Sequence, residues 1–262
     1  MSIKFYKFEG TGNDFIIIDN RLGTYYLNHK QIRLICDRRF GVGADGLMLY
    51  NKSKEQDFEM KYYNANGYEG SMCGNGGRSL IAFAHHLKDI KNETSFTAVD
   101  GLHQGKVLYQ DKNEWQVQLH MTDVSNYTMD GASYVLDTGS PHYVEFVDNL
   151  QSLNVFDKGR SIRYNDTYKE EGINVNFVEE KDGDLFVRTY ERGVENETYS
   201  CGTGVTASVL SYAIKNKIQS GSVNVQVLGG NLKIIFERAG DKFFNIWLEG
   251  PAKFVFTGEI DL

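Results

Sequence analysis

The chain has 262 residues, of which 41% are hydrophobic and 24% charged, so it is a globular protein with room for one large or two medium domains. Its net charge of −7, with no basic run, argues against nucleic acids and anionic membranes as partners. No apolar stretch has the ~18 residues of a membrane span, and the first residues lack the apolar segment of a secretory signal. We therefore expect a cytoplasmic protein with no nucleic-acid or membrane partner.

Short β-rich runs separated by Gly, Asn and Asp fill the first half of the chain: "FIIID", "GLMLY", "EMKYYN", "SFTAV", "KVLYQ" and "WQVQLH". Between the first two runs, the spacing of Ile32, Ile35 and Cys36 predicts a helix in which Cys36 is an inert core thiol. The second half continues with "YVLDTGSPHYVEFV", "GINVNFVEE", "DLFVRTYERG", "SVNVQVLGGNLKIIFE" and "FFNIWLEG". Since strands outnumber helices and follow one another directly, we expect hairpins rather than βαβ crossovers.

Two distant stretches share one local pattern, "YEGSMCGNGGRSLIAF" around Cys73 and "ETYSCGTGVTASVLSY" around Cys201. In each, the cysteine precedes Gly-x-Gly and an apolar run with helical periodicity, and a glutamate, Glu69 or Glu197, stands four positions before it. The repetition predicts two similarly built lobes. The polar stretch "HMTDVSN" is the predicted boundary between them.

Both cysteines are expected just ahead of a helix, beside its first N–H groups and the positive end of its dipole. This setting lowers the pKa of a thiol, and the adjacent glycines let a carboxylate reach the same N–H groups. Asn75 and Thr203 belong to residue types favoured at the N-cap, where we expect them. Either cysteine alone could be a small buried apolar residue. As a pair converging on one cleft, they could be a thiolate base and a thiol acid on opposite faces of one carbon.

The three cysteines, Cys36, Cys73 and Cys201, form an odd set without a C-x-x-C spacing. This count indicates neither a disulfide framework nor a zinc site, and it is typical of a reduced compartment. The proton transfer outlined above needs neither a metal nor a Schiff-base lysine, so we expect no cofactor.

Seven motifs stand in a defined order along the chain: "GTGNDF" from Gly10, "FGVGADG" from Phe40, "NANGYEGSMCGNGGR" from Asn64, "GSPH" from Gly139, "GINVNF" from Gly172, "ERGVENETYSCGTG" from Glu191 and "GPAKFVF" from Gly250. In this order they resemble the diaminopimelate epimerases, which are cofactor-independent amino-acid epimerases of lysine and peptidoglycan-precursor synthesis. The resemblance spans essentially the whole chain.

This resemblance implies an α+β fold of two pseudo-symmetric lobes, each a mostly antiparallel sheet or barrel around a central helix, with the active site in the cleft between them. Residues 1–118, completed by 250–262, would form the N-terminal lobe, and residues 119–249 the C-terminal lobe. The implied substrate is diaminopimelate, epimerised between its LL and meso forms, and the implied assembly is a homodimer.

The resemblance also implies site residues, with Cys73 and Cys201 as the acid–base pair. The reacting carboxylate would be held by the N–H groups of Gly74, Asn75, Gly202 and Thr203. The far end of the substrate would be read by Asn13, Asn64, Asn174, Glu191 and Arg192. His142 and Glu191 would flank the cysteines as further catalytic residues. Two positions depart from the commoner pattern: Gly46 stands where glutamine is expected and Ser140 where asparagine is expected.

Three other functions stay open. A proline racemase or hydroxyproline epimerase would share the lobes and both cysteines, although those enzymes typically carry histidine at the position of Asn75 and lack "ERG". A thiol-redox protein would join Cys73 and Cys201 in a switchable disulfide, without the usual spacing of that class. A binding module would merely hold an amino-acid carboxylate.

Overall fold

The structure is a computed structural model that describes residues 2–262. The chain divides into two compact units, one of Met1–Leu119 with Gly250–Leu262 (unit 1) and one of His120–Glu249 (unit 2). Within residues 2–262, no helix combines the length and the apolar character that crossing a membrane requires.

The elements of the first part of the chain are β1 (Ser2–Gly10), β2 (Asn13–Asp19), α1 (His29–Cys36), β3 (Gly46–Asn51), β4 (Phe58–Asn64), α2 (Gly74–His86), β5 (Glu93–Ala98), β6 (Gly101–Asp111) and β7 (Glu114–His120). The remaining elements are β8 (Tyr127–Asp130), β9 (Ser133–Asp137), β10 (Pro141–Phe146), α3 (Val155–Arg163), β11 (Asn174–Lys181), β12 (Asp184–Glu191), β13 (Asn196–Thr198), α4 (Gly202–Lys215), β14 (Ser220–Val227), β15 (Gly230–Ala239) and β16 (Lys242–Asp261).

Unit 1 is a closed barrel around a central helix. Its strands follow the order β1-β2-β3-β4-β5-β6-β7-β16, and the last part of β16 also pairs with β1, which closes the ring. Helix α2 packs against β1, β2, β3 and β6, and every residue from Gly74 to Ala84 is buried. A helix that is buried on all sides is a core element rather than an amphipathic surface helix.

Unit 2 repeats this plan around α4. Its strands follow the order β16-β15-β14-β12-β11-β10-β9-β8, with β13 beside β12, and a bridge from Val124 to Phe243 links the chain ahead of β8 to β16. Helix α4 is buried along most of its length and packs against β9, β10, β11, β12 and β15. The prediction of two similar lobes, each a mostly antiparallel sheet around a central helix, is confirmed.

The expectation of hairpins rather than βαβ crossovers is wrong at all four helices. The strand pairs β2–β3, β4–β5, β10–β11 and β12–β14 are parallel, and each encloses one helix in sequence. Parallel neighbours need a long connection, which the helix provides. Hairpins are found elsewhere, for example between β5 and β6 and between β14 and β15.

The register of the strands shows which residues of the two units are equivalent. The first pair of β2 with β3 is Phe15 with Gly46, and the first pair of β10 with β11 is His142 with Asn174. These pairs hold equivalent places in the two units, because each opens the parallel pair that encloses the first helix of its unit.

Candidate active site

Cys73 and Cys201 occupy the N-cap positions of α2 and α4, both with extended backbone conformation. The Cys73 carbonyl accepts the Gly77 N–H at 2.7 Å, and the Cys201 carbonyl accepts the Val205 N–H at 2.9 Å. Helical bonding therefore begins at the cysteines themselves, which confirms that each precedes a helix N-terminus.

The prediction that Asn75 and Thr203 cap these helices is wrong. Both residues lie inside the first turn, one position after the glycine that opens each helix. Their backbone N–H groups consequently belong to the set that points toward the helix N-terminus, where an anion can bind. The side chains of Asn75 and Thr203 do not cap the helices and instead contact polar groups beside the two sulfurs.

The Cys73 cluster, as we name Cys73, Asn13 and Asn75, is oriented by Asp45. Asn13 donates from Nδ2 to Asp45 Oδ2 at 2.7 Å, which fixes its amide so that Oδ1 faces the cysteine. Asn13 Oδ1 lies 3.6 Å from Cys73 Sγ and accepts from Asn75 Nδ2 at 3.4 Å. The three predicted residues thus meet in unit 1.

A network of charges holds Asp45 in place. Arg38 Nη2 lies 2.8 Å from Asp45 Oδ1 and 2.6 Å from Asp14 Oδ1, and Lys7 Nζ lies 2.7 Å from Asp14 Oδ2. Burial alone would raise the pKa of Asp14, but hydrogen bonds and charge from Arg38 and Lys7 outweigh it and hold the pKa well below its usual range. The charged network therefore persists at neutral pH and keeps Asn13 aimed at Cys73.

Arg78 lies one turn into α2 and is fully buried. Its Nη2 donates to Asn75 Oδ1 at 3.0 Å and to Thr11 Oγ1 at 3.3 Å, so both acceptors are neutral groups. Burial lowers the pKa of Arg78 to about 10, although the nearby Cys73 and Glu9 act in the opposite direction. The guanidinium is still charged at neutral pH, and its positive charge favours a thiolate at Cys73.

Tyr62 explains the glycine at position 46. A Cβ added to Gly46 would lie 2.5 Å from Tyr62 Cε2 and 2.8 Å from its hydroxyl. The same ring comes within 2.9 Å of a Cβ built at Gly70. The tyrosine therefore fills the space that a larger side chain at position 46 would need. Asn64, at the exposed end of β4, pairs with Gly46 at this place.

The Cys201 cluster, as we name Cys201, Thr203, His142 and Ser140, is held by short polar contacts within unit 2. Cys201 Sγ lies 3.4 Å from Thr203 Oγ1, which in turn lies 2.9 Å from His142 Nε2. Ser140 Oγ is 3.0 Å from His142 Nε2 and 3.3 Å from Thr203 Oγ1. The serine that replaces the expected asparagine is therefore a full member of the cluster.

His142 has the most perturbed imidazole of the chain's described part. The side chain is fully buried, and burial followed by the positive charge of Arg192 lowers its pKa to about 3. The ring is thus neutral throughout the physiological range, and its contacts with Thr203 and Ser140 involve a neutral imidazole.

Asn174 connects this cluster to the end of β12. Its Nδ2 donates to Ser140 Oγ at 3.1 Å, and its Oδ1 accepts the Arg192 N–H at 2.9 Å. The Arg192 guanidinium donates to the Glu171 carbonyl at 3.0 Å, and Glu191 Oε2 accepts the Thr198 hydroxyl at 3.0 Å. Asn174 therefore links the Cys201 cluster, through Ser140, to the backbone of Arg192.

Cys36 is a core thiol, as predicted. It is buried beside Ile32 and Ile35, and burial raises the pKa of its thiol to about 12. A thiolate at this position is therefore strongly disfavoured at neutral pH, which separates Cys36 chemically from the two N-cap cysteines.

Sequence reasoning missed Asn176, Tyr62 and Arg78. In "GINVNF", Asn174 and Asn176 are two positions apart, and this spacing places both on one face of an otherwise apolar strand. That alternation was a readable signal for Asn176. A buried arginine such as Arg78 is rare, and its sequence context gives no comparable sign.

The family model and the sequence relatives all belong to one family. The family model for diaminopimelate epimerase matches residues 5–127 and 134–255. A diaminopimelate epimerase from Flavobacterium psychrophilum is 47% identical, covering 98% of this chain and 100% of that protein. Another from Chlorobaculum tepidum is 43% identical, covering 97% of this chain and 99% of that protein.

Solved structures show the fold. A phenazine biosynthesis protein of the PhzF family from Bacillus anthracis superposes with a TM-score of 0.77 at 15% identity, covering all of both chains. A hydroxyproline epimerase from Agrobacterium vitis gives 0.73 at 13% identity, covering 100% of this chain and 93% of that one. Such low identities establish a shared fold alone. Because the family model spans nearly the whole sequence and the sequence relatives match over their full lengths, the chain belongs to the diaminopimelate epimerase family.

Proposed function

We propose that this protein is an isomerase that interconverts LL- and meso-diaminopimelate by direct proton transfer at one α-carbon, without a cofactor, in lysine and peptidoglycan-precursor synthesis. The observation that carries the proposal is the pair of N-cap cysteines, Cys73 and Cys201, on the central helices of two similarly built units. A two-base inversion needs such a pair, because the proton leaves one face of the carbon and returns to the other.

The proton balance of the reaction is simple. One cysteine, as thiolate, takes the α-proton and becomes a thiol, and the electron pair of the C–H bond stays on the carbon and its carboxylate. The other cysteine, as thiol, gives its proton to the opposite face and becomes a thiolate. The reverse reaction exchanges the two roles.

The first turns of α2 and α4 are proposed to hold the reacting carboxylate. Negative charge grows on this group as the α-proton leaves, and preorganised N–H donors stabilise it there. The donors would be the N–H groups of Gly74, Asn75, Gly202 and Thr203.

The thiolates of the two clusters are proposed to be stabilised by different groups. The Arg78 cation supports the thiolate of Cys73, and the Thr203 hydroxyl can donate to the thiolate of Cys201. Glu191 is proposed to orient the amino group of the reacting centre. For the far end of the substrate we propose a set of polar residues: Asn13, Asn64, Asn174, Glu191 and Arg192.

Hydrogen exchange tests the reaction. Purified protein is incubated with LL-diaminopimelate in heavy water without pyridoxal phosphate, and proton NMR follows the α-position. We expect deuterium at the α-carbon together with formation of the meso isomer, and hydroxylamine should leave the activity intact because no carbonyl cofactor is invoked. Exchange on proline or hydroxyproline without exchange on diaminopimelate would instead identify a proline racemase or hydroxyproline epimerase. No exchange on any of them would leave a redox or binding function.

Controlled oxidation tests whether the two sulfurs can meet. A disulfide needs Cα atoms no more than ~7 Å apart, which facing helix N-termini would permit after modest movement. Mild oxidant should inactivate the substrate-free protein reversibly, substrate should protect it, and peptide mapping should find Cys73 linked to Cys201. A bridge to Cys36 as the main product, or separate sulfenic acids, would contradict a shared site.

We also propose a cytoplasmic homodimer. The basis is the family to which the chain belongs, together with an odd number of cysteines. Light scattering of the purified protein should give twice the mass of 29.8 kDa. A monomer with full activity would contradict this assembly.

A further inference from the structure

Unit 2 contains a buried polar trio, and unit 1 has apolar side chains at the positions of two of its members. A Cβ built at Gly204, in the first turn of α4, would lie 2.3 Å from Asn176 Oδ1 and 3.3 Å from His142 Cε1. At Gly76, the equivalent position of α2, it would lie 3.3 Å from Met48 Sδ and 3.6 Å from Phe15 Cε1. His142 and Asn176 therefore stand where unit 1 has Phe15 and Met48, and Thr189 completes the trio.

All three members of the trio are buried, and Asn176 and His142 are fully so. Thr189 Oγ1 donates to Asn176 Oδ1 at 2.9 Å, and Asn176 Nδ2 contacts His142 Nδ1 at 3.0 Å. Buried polar groups cost free energy relative to an apolar pair unless every bond is satisfied. His142 and Asn176 occupy positions that unit 1 fills with apolar side chains, so packing alone does not require them, whereas Thr189 pairs with Asn176 as Tyr62 pairs with Met48.

The orientation of the Asn176 amide follows from its neighbours. Asn176 Nδ2 also lies 3.0 Å from the carbonyl oxygen of Tyr143, which can only accept a hydrogen bond. The opposite orientation would place Asn176 Oδ1 against that oxygen and lose the bond. The amide therefore donates one N–H to Tyr143 and the other to Nδ1 of His142.

A nitrogen that accepts a hydrogen bond carries no proton. With Nδ1 accepting, the neutral ring must carry its proton on Nε2, the nitrogen that faces Thr203 and Ser140. We infer that Asn176 is a positioning residue that locks His142 in the neutral Nε2–H tautomer, so that the ring is a fixed donor to the Thr203 hydroxyl and not a proton carrier.

The direction of the remaining bonds follows. Nε2 faces two hydroxyl oxygens, Thr203 Oγ1 at 2.9 Å and Ser140 Oγ at 3.0 Å, and Ser140 Oγ already accepts from Asn174 Nδ2. When Thr203 Oγ1 accepts the Nε2–H, its own hydrogen is free to donate toward Cys201 Sγ at 3.4 Å. A donor aimed at the sulfur stabilises the thiolate more than the thiol. Asn176 thus acts on Cys201 through His142 and Thr203, and this role rests on the proposed epimerase function.

The groups around the ring do not offer another proton source. The strand partners of His142 are Leu136 on β9 and Asn174 on β11, which carry no charge. The charged group that acts on the ring is Arg192, after β12, and its positive charge opposes protonation. From α4, the titratable group is Cys201, which lies one hydroxyl away from the ring.

The tautomer can be read directly in the folded protein. In protein labelled with isotopic nitrogen, an NMR spectrum that correlates ring nitrogens with carbon-bound ring protons separates the two neutral tautomers, and comparison with His142→Gln identifies the signal. We expect protonated Nε2, unprotonated Nδ1 and no titration between about pH 5 and 9. Protonated Nδ1, or titration in this range, would overturn the inference.

Variants of Asn176 link the tautomer to the rate. Asn176→Leu removes the donor, so the ring can exchange tautomers and Thr203 can turn its hydrogen away from the sulfur. We expect kcat to fall about tenfold with KM changed less than about twofold. Asn176→Asp should instead introduce ring titration near neutral pH, together with a new ionisation in the kcat profile.

Thr189→Val is the matched control, because it removes a bond to Asn176 and leaves both Asn176 N–H donors in place. It should keep the Nε2–H signal, with kcat lowered less than about threefold. Loss of activity in Asn176→Leu without any change in the ring signal would contradict a role through the tautomer. The wild-type spectrum requires no substrate, so it decides the tautomer even if diaminopimelate exchange fails and the proposed function falls.

Discussion

The Cys73 and Cys201 clusters have the same local backbone arrangement and differ in the side chains that surround it. Both cysteines are N-caps, both are followed by glycine, and both helices are buried along the first turns. Behind the Cys73 cluster stand charges: the buried Arg78 and the network of Asp14. Behind the Cys201 cluster stands a neutral trio built on His142. The same local arrangement thus favours a thiolate through the Arg78 cation in unit 1 and through the Thr203 hydroxyl in unit 2.

The clearest single difference lies five positions after each cysteine. Unit 1 has Arg78 there, whereas unit 2 has Thr206, whose hydroxyl donates to the Gly202 carbonyl of its own helix at 2.9 Å. A reversible two-base reaction needs each sulfur to be accessible both as thiol and as thiolate. The two similarly built units meet this common need by different means.

The largest expected effect tests what the clusters share. Cys73→Ser and Cys201→Ser should each lower turnover by about three or more orders of magnitude, because an alcohol is far too weak an acid to form the base. Cys36→Ser, in the core, is the matched control and should keep near-normal turnover once folding is verified. Turnover is measured as formation of meso-diaminopimelate. Equal damage by Cys36→Ser would contradict the pairing.

The next effect tests the difference between Arg78 and Thr206, five positions after the two cysteines. Arg78→Met should lower kcat about 100-fold, because the cation beneath Cys73 is lost and the thiolate is less stable. Thr206→Val, its positional counterpart, should stay within about threefold. The rate of Cys73 alkylation by iodoacetamide against pH separates electrostatics from folding, since it should shift to higher pH only in Arg78→Met.

Arg78→Lys completes this test. It keeps the charge but lacks the planar fork that reaches Asn75 and Thr11, so it should recover part of the alkylation rate. A rate unchanged from wild type in Arg78→Met would show that the guanidinium is structural and that the clusters do not differ in this way.

The sequence predicted the features that depend on local pattern. The face of Ile32 and Ile35 marked α1, and Cys-Gly-x-Gly located the two helix starts. Asn75 and Thr203 were misplaced because the helix start is set by the backbone of the preceding cysteine, not by the side chain that best fits a cap. The parallel crossovers were missed because pairing between distant strands leaves no local periodicity.

A third, smaller effect concerns Gly46, which stands in the first pair of β2 with β3, as Asn174 stands in the first pair of β10 with β11. Gly46→Gln should destabilise the protein by about 2 kcal/mol and lower kcat/KM about tenfold, because the new side chain collides with Tyr62. The double variant with Tyr62→Ala should recover most of the stability, measured by denaturant unfolding. If the single variant were harmless, Tyr62 would not be the reason for glycine at this position.

The pH dependence of stability separates the neutral trio from the charged network. The folded pKa of His142, about 3, lies below the ordinary value of 6.5, so the unfolded chain binds more protons between these values. Stability therefore falls as the pH drops below about 6.5, by up to about 1.4 kcal/mol per pH unit for this one group.

The pKa of Asp14 is also lowered, from 3.8, so its contribution is present above that pH and is lost only below it. The free energy of unfolding should be measured for wild type, His142→Gln and Asp14→Asn at several pH values from 7.5 to about 4.5. The cost of His142→Gln should shrink steadily across this range, because the wild type loses stability that the variant does not. The cost of Asp14→Asn should stay constant, since its carboxylate remains ionised in both states over most of the range. A constant cost for His142→Gln would mean that the imidazole is not held neutral, and the contrast between the two clusters would lose its electrostatic basis.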